Sequence, residues 1–364
     1  MKQLYFCVSL CILLLISFQV SAQNNFTING KVTDTNNAPL KGATVFISGS
    51  ERITACDDEG RFKFTRLDAG NYHIIVTMVG FTPFSQALVI QNKSEDISIK
   101  LNVKEIELAQ VNIGGKDHWD SYFKAFKQLF LGKSKNGKAC VIMNPRIINF
   151  STKKGILFAD ANDFLIIENP RLGYRVKYLL KSFGYDSSSG ITLYTGDASF
   201  EPMQGSPRMQ REWNKNRFEA YQGSLMHFLR SVYQNRVLKE GFIINPIIDR
   251  WAPGSVIYYD ARPLRFDTLV RAIDTSFVAL KFNKVMYTYN PKKAASIKTN
   301  SAYPIQKQKT VDGGVTTIKL YTPEAVIDHR GAHRDFRDFL IDGKLARNRV
   351  GDQLPYEYEP PANN

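Results

Sequence analysis

Histidine and cysteine are scarce in this chain of 364 residues, which holds five of the first and four of the second. Cys7 and Cys11 sit in an apolar N-terminal run, so Cys56 and Cys140 are the two that remain for the body of the chain. Two thiols exclude a disulfide framework and a four-cysteine zinc site. Two readings stay open for them, a pair of isolated buried thiols or one bond formed in an oxidising compartment. The histidines are His73, His118, His227, His329 and His333. None has a Glu at the spacing of a zinc peptidase, which needs clustered His and Glu ligands, a distant third ligand and a Glu general base. A Gly-rich phosphate loop, a dinucleotide fingerprint and an EF-hand loop are also missing, so no cofactor is indicated. Beyond residue 20 no apolar run is long enough to cross a bilayer as a helix.

What is present begins with Met1-Lys2, an apolar run from Leu4 to Val20, and Ser21-Ala22-Gln23. A charged start, an apolar core and small residues at the end make residues 1–22 a secretory signal peptide cut after Ala22. The competing reading is a retained anchor, but the run is short for a span and no basic stop-transfer cluster follows. The expected location is therefore the periplasm, the outer membrane's surface or the cell surface. The net charge of +14 is uneven: residues 23–113 carry nine basic and ten acidic side chains, and residues 114–364 carry 38 and 24. An exported basic protein meets anionic polysaccharide and other envelope components before nucleic acid, so an envelope polysaccharide or envelope protein is the expected partner. A basic surface kept for solubility explains the same excess.

From Phe26 to Ile113 short apolar runs alternate with turn residues every ~8–12 positions, the punctuation of a small antiparallel sandwich. Strands are expected at Ile28 to Asp34, Thr44 to Ile47, Tyr72 to Val79 and Ile97 to Leu101, with a turn at Asp57-Asp58-Glu59-Gly60 and Phe62 and Phe64 facing inward. The landmarks Gly30-Lys31-Val32-Thr33-Asp34, Pro39-Leu40-Lys41-Gly42-Ala43, Asp57 to Phe62, Gly70-Asn71-Tyr72 and Gly80-Phe81 resemble the carboxypeptidase regulatory-like domain, a seven-stranded transthyretin-like β-sandwich. The resemblance implies an accessory module of exported proteins in Bacteroidota-like bacteria. It brings no activity with it.

Residues 114–364 read as a larger, basic α+β domain on an antiparallel sheet with two or three helices. Asp117 to Leu131 is expected to be helical, because Trp119, Phe123, Phe126 and Phe130 form one stripe. Strands are expected at Ala139 to Met143, Ile156 to Ala159, Phe164 to Ile167, Tyr174 to Leu180 and Ile191 to Tyr194, the fourth with Arg175 and Lys177 on a wet face. Ser206-Pro207 caps a helix over Arg208 to Ala220, and Ser224 to Lys239 forms another whose buried stripe leaves His227, Arg230, Ser231 and Gln234 outside it. Strands then follow at Phe242 to Ile248 and Ser276 to Tyr289, and a hairpin through Asp312-Gly313-Gly314 joins Tyr303 to Val311 with Val315 to Leu320. Asn169-Pro170-Arg171-Leu172-Gly173-Tyr174, Tyr221 to Ser231 and Asp352-Gln353-Leu354-Pro355 resemble exported proteins of the same bacterial group that carry the regulatory-like domain.

Three clusters bear on chemistry. Ser224, His227 and Arg230 share one helix face at spacing three and, with Tyr221 just before them, form the candidate ligand face; a nucleophile beside a base would also need an orienting group and an oxyanion hole, and a polar helix end docking on the sheet accounts for the same residues. His329 and His333, four apart beside Asp328 and Asp335, are candidate metal ligands if the segment were helical, which Gly331 opposes. Lys281, Lys284, Lys292, Lys293, Lys298, Lys307 and Lys309, interleaved with Phe282, Tyr287, Tyr289 and Tyr303, would suit an anionic polymer or simply guard exposed strand edges. The resulting expectation is an exported, non-enzymatic binding or assembly protein, with a hydrolase acting on glycan or peptide through the second domain as the alternative.

Overall fold

The computed structural model describes residues 25–104, 118–251, 256–297, 307–311, 315–335 and 337–361. The expected signal peptide, residue Asp117, Lys298, Tyr303 and the Asp312–Gly314 turn lie outside the described residues.

The N-terminal module is a seven-stranded sandwich made of β1 (Phe26–Asp34), β2 (Thr44–Ile47), β3 (Ile53–Ala55), β4 (Arg61–Leu67), β5 (Gly70–Thr77), β6 (Phe84–Ile90) and β7 (Glu95–Leu101). One sheet has the order β4-β1-β7 and the other β3-β2-β5-β6. Period-two alternation turns Ile28, Val32, Phe62, Phe64 and Ile99 inward onto Val45, Ile47, Tyr72, Ile74 and Val76. The turn before β4 forms as expected. Asp57 Oδ1 accepts from the backbone N–H of Glu59 and Arg61, and Gly60 supplies a φ of +74°. Tyr72 to Val79 is shifted: the strand is β5, and Val79 lies past its end, 91% exposed.

The second body contains α1 (Trp119–Leu131), α2 (Lys135–Ala139), β8 (Val141–Ile142), β9 (Ile148–Lys153), β10 (Ile156–Ala161), β11 (Leu165–Asn169), β12 (Tyr174–Asp186) and β13 (Ile191–Pro202). The sheet runs β8-β11-β12-β10-β9, with β13 along the other side of β12. The aromatic stripe of α1 packs on it: Phe126 and Phe130 are fully buried, and Phe130 meets the Tyr178 ring edge-on at 4.9 Å. Ala139 to Met143 yields only the two residues of β8, because Ala139 closes α2. The face of β12 expected to be wet is dry at Leu179, which packs against Phe46 and Ile75 of the sandwich. The apolar neighbour that covers it comes from a different domain, so alternation along β12 could not reveal it.

The third body holds α3 (Pro207–Tyr221), α4 (Leu225–Tyr233), β14 (Phe242–Trp251), β15 (Val256–Asp260), β16 (Val270–Ala272), β17 (Phe277–Leu280), β18 (Lys284–Tyr289), α5 (Pro291–Ala295), β19 (Lys307–Val311), β20 (Thr316–Leu320), β21 (Ala325–Asp328) and β22 (Phe339–Gly343). Its sheets are β19-β15-β14-β18-β20-β22 and β16-β17-β21, so residues 118–361 enclose two hydrophobic cores. Ser206 caps α3 by accepting from the Met209 N–H. Three expectations change here. α4 ends at Tyr233, where Gln234 closes it and Asn235 turns with a φ of +52°. Ser276 to Tyr289 splits into β17 and β18, which join different sheets. The hairpin of Tyr303–Val311 with Val315–Leu320 is replaced by long-range pairing: β19 pairs with β15, while β20 lies between β18 and β22.

Candidate functional site

The residues of the candidate face on α4 do come together, but as packing. The Ser224 hydroxyl is the N-cap of α4 and accepts from the His227 N–H at 3.1 Å. His227 Nδ1 accepts from the Gly223 N–H at 3.1 Å, which puts the imidazole proton on Nε2, 3.6 Å from Glu240 Oε2. The ring is enclosed by Tyr221 at 4.6 Å and Phe242 at 4.7 Å. Burial lowers its pKa from the usual 6.5, and Glu240 partly opposes that. No hydrogen bond joins the Ser224 hydroxyl to the imidazole among the described residues.

Arg230 is buried, and its guanidinium donates to the carbonyls of Arg330, Tyr356 and Tyr358 at 3.0, 2.9 and 2.8 Å. Arg230 and Ser231, expected off the stripe, are both buried: the C-terminal segment covers Arg230, and Ser231 turns its hydroxyl back to the Phe228 carbonyl of its own helix. The other motif stretches serve the same segment. Asn169 donates its amide to the Gly351 carbonyl at 2.9 Å, and Asp352 Oδ1 accepts from Ser134 Oγ and Asn136 Nδ2.

Sequence reasoning missed the junction that fixes the sandwich to the third body. Asp328 is fully buried at the end of β21 and accepts from the Asn71 N–H at 2.8 Å and from Arg330 Nη2 at 2.7 Å. The Asn71 amide donates to the Val326 and Ala332 carbonyls, and Arg330 stacks over Tyr72 at 4.2 Å. Gly70 is required beside this contact, since a Cβ there would stand 2.5 Å from Arg330 Nη2. The available signal was a polar Asn inside the most apolar strand of the sandwich. A second seam joins the loop after β2 to β13: Gly49 N–H donates to the Ala198 carbonyl at 2.7 Å and Phe200 N–H to the Ser50 carbonyl at 2.9 Å.

His329 and His333 are not on a helix and are taken up separately. His329 Nε2 lies 3.7 Å from Asp68 Oδ2, and His333 Nδ1 lies 2.7 Å from the Asp335 carbonyl and 3.4 Å from Asp338 Oδ2. Among the described residues no group of three or more His, Cys, Asp or Glu could hold a metal ion. Cys56 and Cys140 are free and buried. Lys281 is exposed beyond β17 and Lys292 and Lys293 lie on α5, so the described part of the lysine run is spread over separate elements. The side chains of Lys298, Lys307 and Lys309 lie outside the described residues.

Where the three bodies meet, a cavity of about 450 Å³ remains. Tyr178, Phe200 and Tyr356 give it aromatic walls, and Arg349, Asp352 and Gln353 add polar groups. Ser224 reaches it as well. Burial raises the Asp352 carboxyl above the usual carboxylate value, and the Ser134 and Asn136 hydrogen bonds oppose that shift.

No helix among the described residues is long and apolar enough to cross a membrane. No curated protein matches the chain. Among solved structures, part of the chain is similar to a hydroxyquinol 1,2-dioxygenase from Pseudomonas putida DLL-E4, with 8% identity and a TM-score of 0.20, over 23% of this chain and 58% of that one. It is similar to a streptococcal ancillary pilin with 14% identity and a TM-score of 0.20, over 23% of this chain and 34% of the pilin. A DUF3823 family protein from Bacteroides ovatus ATCC 8483 aligns with 50% of this chain and 82% of its own, with 8% identity and a TM-score of 0.19. The chain thus spans less than two thirds of the length of the first two. Residues 28–113, which take in nearly all of the N-terminal sandwich, match the family model of the CarboxypepD_reg-like domain.

Proposed function

We propose that this is an exported, non-enzymatic binding or assembly protein of the periplasm or cell surface, which engages an envelope polysaccharide through the cavity where its three bodies meet. The observation that carries the reading is the composition of that cavity. Tyr178, Phe200 and Tyr356 offer apolar faces, and Arg349, Asp352 and Gln353 offer donors and acceptors. A sugar ring has the matching character, apolar on its faces and hydroxylated at its edges, and about 450 Å³ falls within the usual range of small-ligand sites. The Ser224, His227 and Arg230 groups that hydrolysis would need are already engaged with backbone. The test is saturation-transfer NMR with a panel of envelope oligosaccharides. Binding that is lost in Arg349→Ala and Gln353→Ala is expected. Turnover of any panel member that disappears in Ser224→Ala would overturn the reading in favour of a hydrolase, and so would oligosaccharide binding indifferent to both cavity variants in favour of another surface.

A further inference from the structure

β13 is paired with β12 along its length, and on its other side the two halves of the strand differ. The later half is covered by the sandwich loop, through the Gly49 and Phe200 hydrogen bonds and the parallel bridge between Ser50 and Ser199. Residues 191–196 have no such cover from another strand among the described residues. An uncovered edge presents a row of unpaired N–H and C=O groups, and folded proteins usually blunt it with Lys, Pro, a bulge or a covering element. Here the segment reads Ile191-Thr192-Leu193-Tyr194-Thr195-Gly196, with neither charge nor proline.

Of its outward side chains Ile191 and Leu193 are apolar, and Thr195 shares its hydroxyl with Ser182 of β12. Ile191 is 56% exposed and Leu193 67%. The register continues this character inward across the sheet, since Leu193 stands opposite Gly184 on β12 and Gly184 stands opposite the exposed Phe158 on β10. An exposed apolar band beside an uncovered strand edge joins two features that each favour association, one through desolvation and the other through backbone hydrogen bonds.

We propose that residues 191–196 of β13 pair antiparallel with the same segment of a second copy of this chain, so that the two sheets become continuous across a two-fold axis. The choice of a second copy rests on self-complementarity. In an isologous pairing centred on Leu193 each Leu193 meets its mate and Ile191 meets Thr195, so any charge in the segment would face or flank its own kind. The segment has none. Its length also fits, because the free edge stops where the Ser50 loop begins, leaving six residues, a common strand length of roughly 20 Å. This inference is independent of the polysaccharide reading.

Sedimentation velocity on residues 23–364, from about 1 to 100 μM, is expected to show a monomer–dimer equilibrium. Leu193→Lys and Leu193→Glu place like charges at the axis and should each weaken dimerisation by on the order of 100-fold or more. An equimolar mixture of the two variants should associate again, because Lys then faces Glu. Leu193 is a surface position, and circular dichroism confirms that both variants fold. A chain that stays monomeric at 100 μM, a dimer indifferent to both substitutions, or a mixture that fails to reassociate overturns the proposal.

Discussion

Removing the Asp328 carboxylate is the most informative perturbation of the junction between the sandwich and the third body. It accepts four hydrogen bonds, from the N–H groups of Asn71, Arg330 and Ala332 and from Arg330 Nη2. Asp328→Ala leaves the Arg330 guanidinium, whose side chain is 14% exposed, without its counterion. Breaking one partner of such a pair costs about 3–5 kcal/mol, most of it from the charge left behind. Arg330→Met added to Asp328→Ala removes that charge, so the double variant should lose less stability than the sum of the two singles. Urea denaturation gives the totals, and native-state hydrogen exchange gives the location. The Asn71 amide, bonded to Asp328 across the junction, should lose protection in Asp328→Ala, while Val76 inside the same sandwich keeps it. A loss below about 1 kcal/mol, or a double variant as damaged as the sum, would refute the idea that this ion pair clamps the bodies together.

Other outcomes follow from single groups. Arg230→Met should release the C-terminal segment, exposing Tyr356 and Tyr358 to proteolysis while α4 stays helical; the loss of three carbonyl partners should cost roughly 2–4 kcal/mol, measurable by limited proteolysis and urea titration. Burial lowers the pKa values of His73, His227 and His329 from the ordinary 6.5, so the unfolded chain takes up protons first as pH falls. Stability should therefore decline from pH 6.5 downward, and a melting temperature that is flat or rising between pH 7 and 5 contradicts this. Burial pushes the thiols of Cys56 and Cys140 up to about 11 and about 12, so neither should react with Ellman's reagent in the native protein at pH 7.5, and both should titrate in denaturant. Gly70→Ala should loosen the same junction as Asp328→Ala, read again at the Asn71 amide.

Legibility in this sequence followed the distance over which each contact acts. The Asp57–Gly60 turn, the Ser206 cap and the α1 stripe depend on residues within a few positions of one another, and all three formed as read. The failed hairpin depended on a Gly-Gly signal that was local, whereas β19 found its partner in β15, about fifty residues earlier. Arg230 shows the same limit at the candidate site. Helical periodicity placed it on a polar face, and it became buried because carbonyls 126 and 128 positions downstream return to it. The three motif stretches that resembled related exported proteins converge on that returning segment: Asn169 holds Gly351, Arg230 holds Tyr356 and Tyr358, and Asp352 is held by Ser134 and Asn136. Such residues look catalytic in a sequence because buried polar groups must be satisfied as strictly for holding a chain as for moving a proton. What separates the two uses is whether any donor or acceptor is left over for a ligand. On the α4 face Ser224, His227 and Arg230 are engaged with the protein itself, and the polar groups that line the central cavity beside Ser224 are Arg349, Asp352 and Gln353.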